Sequence, residues 1–97
     1  MSASDAQTQA FAPRPDLLTE SIDGEMLILD LTNDNHFSLN ASATLIWQAM
    51  AHEPATKADL LQSLRARYSQ VPIEELETDL DEILNTWLEQ GLIHPIA

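Results

Sequence analysis

Histidines and carboxylates are the side chains of this sequence that could carry out acid–base or metal chemistry. The 97 residues include three histidines, His36, His52 and His94, and 16 Asp and Glu, but no cysteine. No two histidines have the i, i+4 spacing that places a pair of metal ligands on one helical face. A chain without cysteine also has no disulfide, no thiolate metal site and no cysteine nucleophile. We therefore expect surface histidines and no metal site.

Six of the acids are concentrated between residues 74 and 82, where a catalytic carboxylate pair would be sought. They alternate with apolar residues in the way that the solvated face of an amphipathic helix does, and we interpret them as such a face. With two glycines, the chain cannot form a P-loop or a dinucleotide-binding motif. Residues 30–35 lack the glycine and the bidentate glutamate of a calcium-binding loop. The sequence thus predicts a protein that is not an enzyme and needs no cofactor.

The charge balance restricts the partners. The chain has 4 Lys and Arg in total and 16 Asp and Glu, which gives a net charge of -12. Nucleic acids and anionic membranes are bound by basic surfaces, so we expect neither as a partner. The N-terminus has no signal-peptide pattern, and a soluble cytoplasmic protein is predicted. Residues 68–97 hold seven acids and no Lys or Arg, which favours a locally basic partner. The alternative that the negative charge serves only to keep the protein soluble stays open.

The first half of the chain predicts an antiparallel meander of three strands. Residues 17–22 and 26–31 flank Asp23 and Gly24, a dipeptide typical of a two-residue hairpin turn. In the second strand, Leu27, Leu29 and Leu31 share one face by the period of two, and we expect this leucine face to be the core face. A third strand is predicted over residues 36–40, with Phe37 and Leu39 pointing one way and the remaining side chains the other.

The second half predicts three helices. The apolar period changes to about 3.6 after Asn40, which with Ser42 is a candidate N-cap for a helix over residues 41–51. Thr56 and Asp59 have the spacing of a capping box for a helix that ends near residue 69. A third helix runs from Pro72 to a stop at Gly91, and the apolar tail after it is expected to fold back on the core.

These elements predict an α+β fold, a three-stranded antiparallel meander followed by three helices on one face of the sheet. We expect residues 1–15 to be a flexible lead-in and residues 16–97 to form a single domain. The length allows one hydrophobic core.

The order of several motifs resembles the PqqD-like family, the RiPP recognition elements that bind leader peptides of ribosomally made, modified peptides. The motifs are the hairpin with its aliphatic strand, residues 36–40 (HFSLN), the Ile46-Trp47 pair and the ending over residues 87–93 (WLEQGLI). The resemblance implies a winged-helix-like fold and leader-peptide binding without catalysis. Within the family the chain is most similar to the stand-alone recognition proteins of lasso-peptide pathways. A PqqD-type chaperone for a radical enzyme in PQQ biosynthesis is the alternative.

The resemblance also implies how a leader would bind. In the family, the leader adds as a further antiparallel strand to the third strand of the meander and lies in the groove between that strand and the third helix. On this sequence the implied peptide-binding residues are His36, Phe37, Ser38, Leu39, Leu76, Asp79, Leu80 and Ile83. For the three aliphatic residues of the helix, a plain core role is equally open. The implied partners are the precursor leader peptide and a maturation enzyme, such as a leader peptidase or a cyclase.

Two other classes of protein stay open. A winged-helix DNA-binding regulator could share the fold, but it needs a basic recognition helix, which neither the second nor the third predicted helix supplies. A structural adaptor or dimerisation module is the other possibility, since an exposed edge strand favours self-pairing.

Overall fold

The structure, a computed structural model, describes residues 9–96. In these residues it has six strands and three helices: β1 (Ala10–Pro13), β2 (Leu18–Ile22), β3 (Glu25–Asp30), β4 (Asn35–Leu39), α1 (Ala41–His52), β5 (Ala55–Thr56), α2 (Lys57–Arg67), α3 (Ile73–Glu89) and β6 (Ile93–Ile96). The strands form two antiparallel sheets, in the orders β2-β3-β4 and β5-β1-β6. The predicted α+β class and the order of a meander before three helices are confirmed. None of these helices has the length and apolarity needed to cross a bilayer.

The first sheet is the predicted meander. Asp23 and Gly24 both have positive φ, 52° and 81°, as a two-residue type I′ turn requires. The turn sets the register of β2 against β3, with Ile22 opposite Glu25. β4 then pairs with the other edge of β3. The hairpin predicted from the Asp-Gly dipeptide is thus confirmed.

The core face of β3 is the opposite of the predicted one. Met26, Ile28 and Asp30 are the buried residues, whereas Leu31, which belongs to the predicted leucine face, is 70% exposed. The helices pack on the Met26 side, and the carboxylate of Asp30 is buried because Arg14 donates a hydrogen bond to it. That partner comes from a distant segment, so the alternation within the strand could not reveal that the face with an aspartate is the inner one.

The second sheet was not expected. Residues 10–13, which we assigned to a flexible lead-in, form strand β1 between β5 and β6. Leu92 and Ile93 are buried, so the expectation that the C-terminal tail folds back on the core is confirmed. The pairing of β1 with β6 joins the two ends of the chain, which a local sequence pattern cannot show. Residues 1–8 of the predicted lead-in lie outside the described residues.

The helix boundaries follow the predicted caps. The side chain of Asn40 accepts a hydrogen bond from the Ala43 N–H (3.0 Å), and Thr56 and Asp59 form the predicted capping box. After α3, Gly91 has a φ of 71° and ends the helix in a Schellman motif. α2 ends at residue 67, two residues before the predicted end.

The core lies between the meander and the helices. Trp47 of α1 and Trp87 of α3 meet edge to face, with ring centroids 5.2 Å apart and an interplanar angle of 86°. Ile28 from β3 and Leu60 and Leu80 from the helices are fully buried around them. The helices and the sheet thus share one hydrophobic core.

Candidate functional site

Strand β4 forms one edge of the meander, with β3 on one side and no other described strand beside it. The two-residue turn makes Ile22 and Glu25 a hydrogen-bonded pair, and hydrogen-bonded and non-hydrogen-bonded pairs alternate from there across the sheet. On this alternation His36 and Ser38 direct their N–H and C=O groups away from β3. An extended peptide could therefore pair with β4 as a further antiparallel strand.

The open edge of β4 is fixed to the core by its own side chains. Leu39 is buried and Phe37 is half-buried against the core, whereas His36 and Ser38 are exposed. Asn40, the next residue, caps α1. The strand is thus held from its inner face and at its C-terminal end, and its edge is preorganised to receive a partner.

A cleft of about 200 Å³ lies between α1, the end of α2 and α3. The buried side chains of Ile46, Leu64 and Leu76 form its apolar base. Ser42 contributes from the first turn of α1, three residues after β4 ends, whereas none of the β4 residues assigned to peptide binding, His36, Phe37, Ser38 and Leu39, lines the cleft. The remaining lining residues are Tyr68, Val71, Glu75, Asp79 and Ile83.

The residues assigned to the groove from the family resemblance do not all reach it. Leu76, Asp79 and Ile83 line the cleft. Leu80 does not, because it is fully buried in the core and offers no surface to a peptide. The core interpretation that was left open for these aliphatic residues therefore applies to Leu80. The peptide-binding role of the other residues stays a prediction.

Several lining residues were not identified from the sequence. Glu75 lies one helical turn before Asp79, and this i, i+4 spacing was a usable signal. Tyr68 and Val71 belong to the turn between α2 and α3, and Ser42 and Ile46 belong to another helix. Their meeting depends on how the three helices pack, so no pattern within one segment indicates it.

The cleft is negatively charged. Glu75 and Asp79 are both exposed along its side, and no Lys or Arg lines it. Elsewhere Lys57 pairs with Asp81, and Arg14 pairs with two aspartates. Among the described residues, the carboxylates of the cleft thus have no basic side chain opposite them, and a cationic ligand would be attracted.

A second polar cluster connects the two sheets, and no local sequence pattern indicates it. The Arg14 guanidinium donates to Asp30 (2.6 Å), to Asp16 (2.6 Å) and to the carbonyl of Gly91 (3.0 Å). Asp30 also accepts from the backbone and side chain of Asn33, in the turn that leads into β4. The cluster therefore ties β1, the end of α3 and the β3–β4 turn together.

The hydrogen bonds of this cluster favour its ionised carboxylates. Asn33 first and Arg14 second lower the pKa of Asp30 below its usual value, against burial, which raises it. The hydrogen bond from Arg14 likewise lowers the pKa of Asp16. Each of the three guanidinium nitrogens of Arg14 donates to a partner within the cluster, so we interpret it as a structural clasp and not as a binding site.

The histidines do not meet one another. His36, His52 and His94 are exposed and lie on β4, at the end of α1 and on β6. Within residues 9–96 no three His, Cys, Asp or Glu side chains are grouped so that they could hold a metal ion.

Comparison with known proteins agrees with this geometry. The family model described as coenzyme PQQ synthesis protein D (PqqD) matches residues 25–93. A search of curated proteins finds no match. The solved structure of TbiB1 in complex with the TbiA(beta) leader peptide has a TM-score of 0.78 at 23% identity and covers 89% of this chain and 98% of that chain. Lasso peptide synthetase B1 complexed with the leader peptide has a TM-score of 0.74 at 28% identity and covers 88% and 98%.

The matched range begins in β3 and ends at the start of β6, so it contains both the open edge of β4 and the residues of the cleft. The two solved structures share the fold over nearly their whole length. The resemblance identified from the sequence motifs is confirmed, and the chain belongs to the PqqD family.

Proposed function

We propose that this protein binds the leader segment of a ribosomally synthesised precursor peptide and presents it to the maturation enzymes of a lasso-peptide pathway in the cytoplasm. Two similar structures are complexes with leader peptides, one of them of lasso peptide synthetase B1. Family membership supports a binding role.

One observation carries the proposal, the open edge of β4. The apolar cleft, whose lining begins with Ser42 in the helix that follows β4, adds a candidate pocket for a side chain of the peptide. A leader that adds to β4 would exchange main-chain hydrogen bonds with His36 and Ser38. These bonds set its register and are independent of its sequence. An apolar leader side chain beyond the added strand would enter the cleft and supply specificity.

The carboxylates of the cleft add a preference for charge. Glu75 and Asp79 flank the entry of an apolar side chain. A Lys or Arg in the leader next to the apolar residue would be attracted to them, and the association rate would fall as salt is added.

The distribution of basic residues disfavours a DNA-binding regulator. Lys57, at the start of α2, is paired with Asp81 of α3. Arg65 and Arg67 remain at the other end of α2, and the exposed face of α3 is acidic. Reading bases in the major groove requires a helix that brings several cations to the phosphates, and neither helix does so.

The test is a titration of fluorescently labelled leader peptide against the intact protein. We expect saturable binding and a loss of about 100-fold or more in affinity for leaders that are N-methylated at the residues paired with β4, because each methyl group removes a main-chain donor. Methylation at residues whose N–H points away from β4 serves as the control and should change affinity little. A flat curve with the unmodified leader of the pathway would defeat the proposal.

The family description supports a second candidate, a chaperone for the precursor peptide of PQQ. The same edge and cleft would serve either peptide, so the two candidates differ in ligand and not in site. Titration with both the lasso leader and the PQQ precursor separates them. Tighter binding of the PQQ precursor would favour the second candidate.

A further inference from the structure

The face of the meander that points away from the helices is unusually apolar. We call it the outer face and define it by five residues: Leu18, Ile22, Leu27, Leu29 and Leu31. Leu18, Ile22 and Leu31 are 52%, 56% and 70% exposed, and they are three of the four large hydrophobic side chains found exposed in residues 9–96. The register places Leu18 directly opposite Leu29, whereas Glu20 lies opposite Leu27 and Glu25 lies opposite Ile22, so the apolar side chains of this face are interspersed with two glutamates.

In a strand that covers a core, the apolar side chains face the core. In β2 the apolar side chains face away from it. Thr19 and Ser21 lie opposite Ile28 and Met26 and therefore share the inner face, yet they are polar. Leu18 and Ile22 point outward. All residues of β2 are exposed, and none of them belongs to the hydrophobic core. Because the apolar residues of β2 do not serve this chain's own core, they are available to a partner.

The charge around the outer face indicates what kind of partner it fits. Residues 16–40, which contain the whole meander, hold six acids and no Lys or Arg. Glu20 lies on the outer face itself, and Asp23 and Glu25 are at its hairpin end. A second copy of this chain would bring the same negative charge to the interface and be repelled. A protein surface with an apolar centre and a basic rim would be attracted.

We infer that the outer face is the docking surface for a maturation enzyme that acts on the captured leader, through an apolar patch rimmed by Lys or Arg on that enzyme. The inference rests on the proposed function for the identity of the partner. The register places His36 and Ser38 opposite Leu29 and Leu27, so a leader added to β4 would lie at the β4 margin of the outer face and leave Leu18 and Ile22, on the far strand, uncovered. The protein could thus hold leader and enzyme at the same time.

The test compares two variants in two assays. The double substitution Leu18→Ser and Leu31→Ser removes exposed apolar side chains, and Ile22→Arg adds a charge that repels a basic rim. The control is Leu88→Ser, which removes a leucine that is 36% exposed on α3, away from the outer face. Each protein is titrated with labelled leader and, separately, with the purified leader peptidase of the pathway, with and without leader, after circular dichroism has verified folding.

Both outer-face variants should bind the peptidase about tenfold or more weakly, while their affinity for leader changes less than about twofold. The control should match the wild type in both assays. Unchanged peptidase binding by both variants would overturn the inference. So would a wild-type dimer, measured by sedimentation, that the double variant converts to monomer, because the patch would then bind a second copy.

The two proposals fail separately. If the wild-type protein does not bind leader, the proposed function fails, whereas peptidase binding measured without leader still decides the role of the outer face. Because all three substituted positions of the variants are more than half exposed, we expect the variants to fold.

Discussion

The meander has two edge strands, β2 and β4, that differ in how they are held. All of β2 is exposed, and its hairpin with β3 is its main attachment. β4 is held by Phe37 and Leu39 in the core, by the turn that Asp30 and Asn33 stabilise, and by the helix cap that follows it. An open edge binds a peptide tightly only when the edge itself loses little freedom on binding. The comparison indicates that β4 is a template for a peptide and that β2 contributes its face instead.

Two serines allow a matched test of this difference. The hydrogen-bond alternation directs the N–H groups of Ser21 in β2 and Ser38 in β4 away from β3, and both side chains are exposed. A proline at either position therefore removes an outward donor without breaking the meander.

The largest expected effect is on leader binding. Ser38→Pro should weaken leader binding by about 100-fold or more, because the ring removes a donor and blocks the approach of an added strand. Ser21→Pro, the control, should leave leader affinity unchanged. Fluorescence anisotropy with labelled leader measures both. Loss of binding in Ser21→Pro with normal binding in Ser38→Pro would show that the leader uses the β2 edge.

The next effect concerns stability. Phe37→Ala should lower the free energy of unfolding by about 1 to 3 kcal/mol, because the ring is half-buried against the core. Ile22→Ala, on the exposed strand, should cost less than about 0.5 kcal/mol. Urea denaturation of both variants measures the difference. Equal decreases in the free energy of unfolding would mean that β4 is held no more firmly than β2.

Acid should weaken the attachment of the turn before β4. The pKa of Asp30 is lowered in the folded state, so its contribution to stability is present above the unfolded value of about 3.9 and is lost as pH falls through the lower folded value. Asp30→Asn should therefore flatten the dependence of the unfolding temperature on pH below about 4 and lower that temperature at neutral pH. Asp34→Asn, an exposed change in the same turn, is the control. If the unfolding temperature of Asp30→Asn fell with decreasing pH as steeply as that of the wild type, the role of the clasp would be contradicted.

The smallest expected effect is electrostatic. Replacing Glu75 and Asp79 by Gln and Asn should slow leader association by about three- to tenfold at low salt, because the cleft loses both carboxylates. Replacing Glu82 and Glu89 by Gln changes the net charge equally outside the cleft and should have less effect. Stopped-flow measurements from low to high salt test both. An association rate that does not change with salt concentration would contradict the preference for a basic leader.

The sequence predicted most of the local structure. The Asp23-Gly24 turn, the Thr56 capping box and the Gly91 helix end are local chemistry, in which residues a few positions apart satisfy one another's backbone groups. The class of fold and the three helices follow from the change of apolar period after Asn40. The family follows from the order of such motifs along the chain.

The predictions that failed required a partner from elsewhere in the chain. The wrong face of β3 was chosen because Asp30 is buried through Arg14, which lies 16 residues away. Strand β1 was missed because it pairs with β6 at the other end of the chain. Leu80 was assigned to a groove that it does not reach, because helical spacing shows which residues share a face but not how deeply each is buried.

The sequence by itself thus determined the elements, their caps, the negative charge and the family. Only the tertiary structure decided which face of the meander is inner, which edge is firmly held, and which residues of three helices meet in one cleft. The physical reason is the separation along the sequence of the residues that must interact. Turns and caps depend on contacts within a few residues, whereas burial and clefts depend on packing between segments that are distant in the chain.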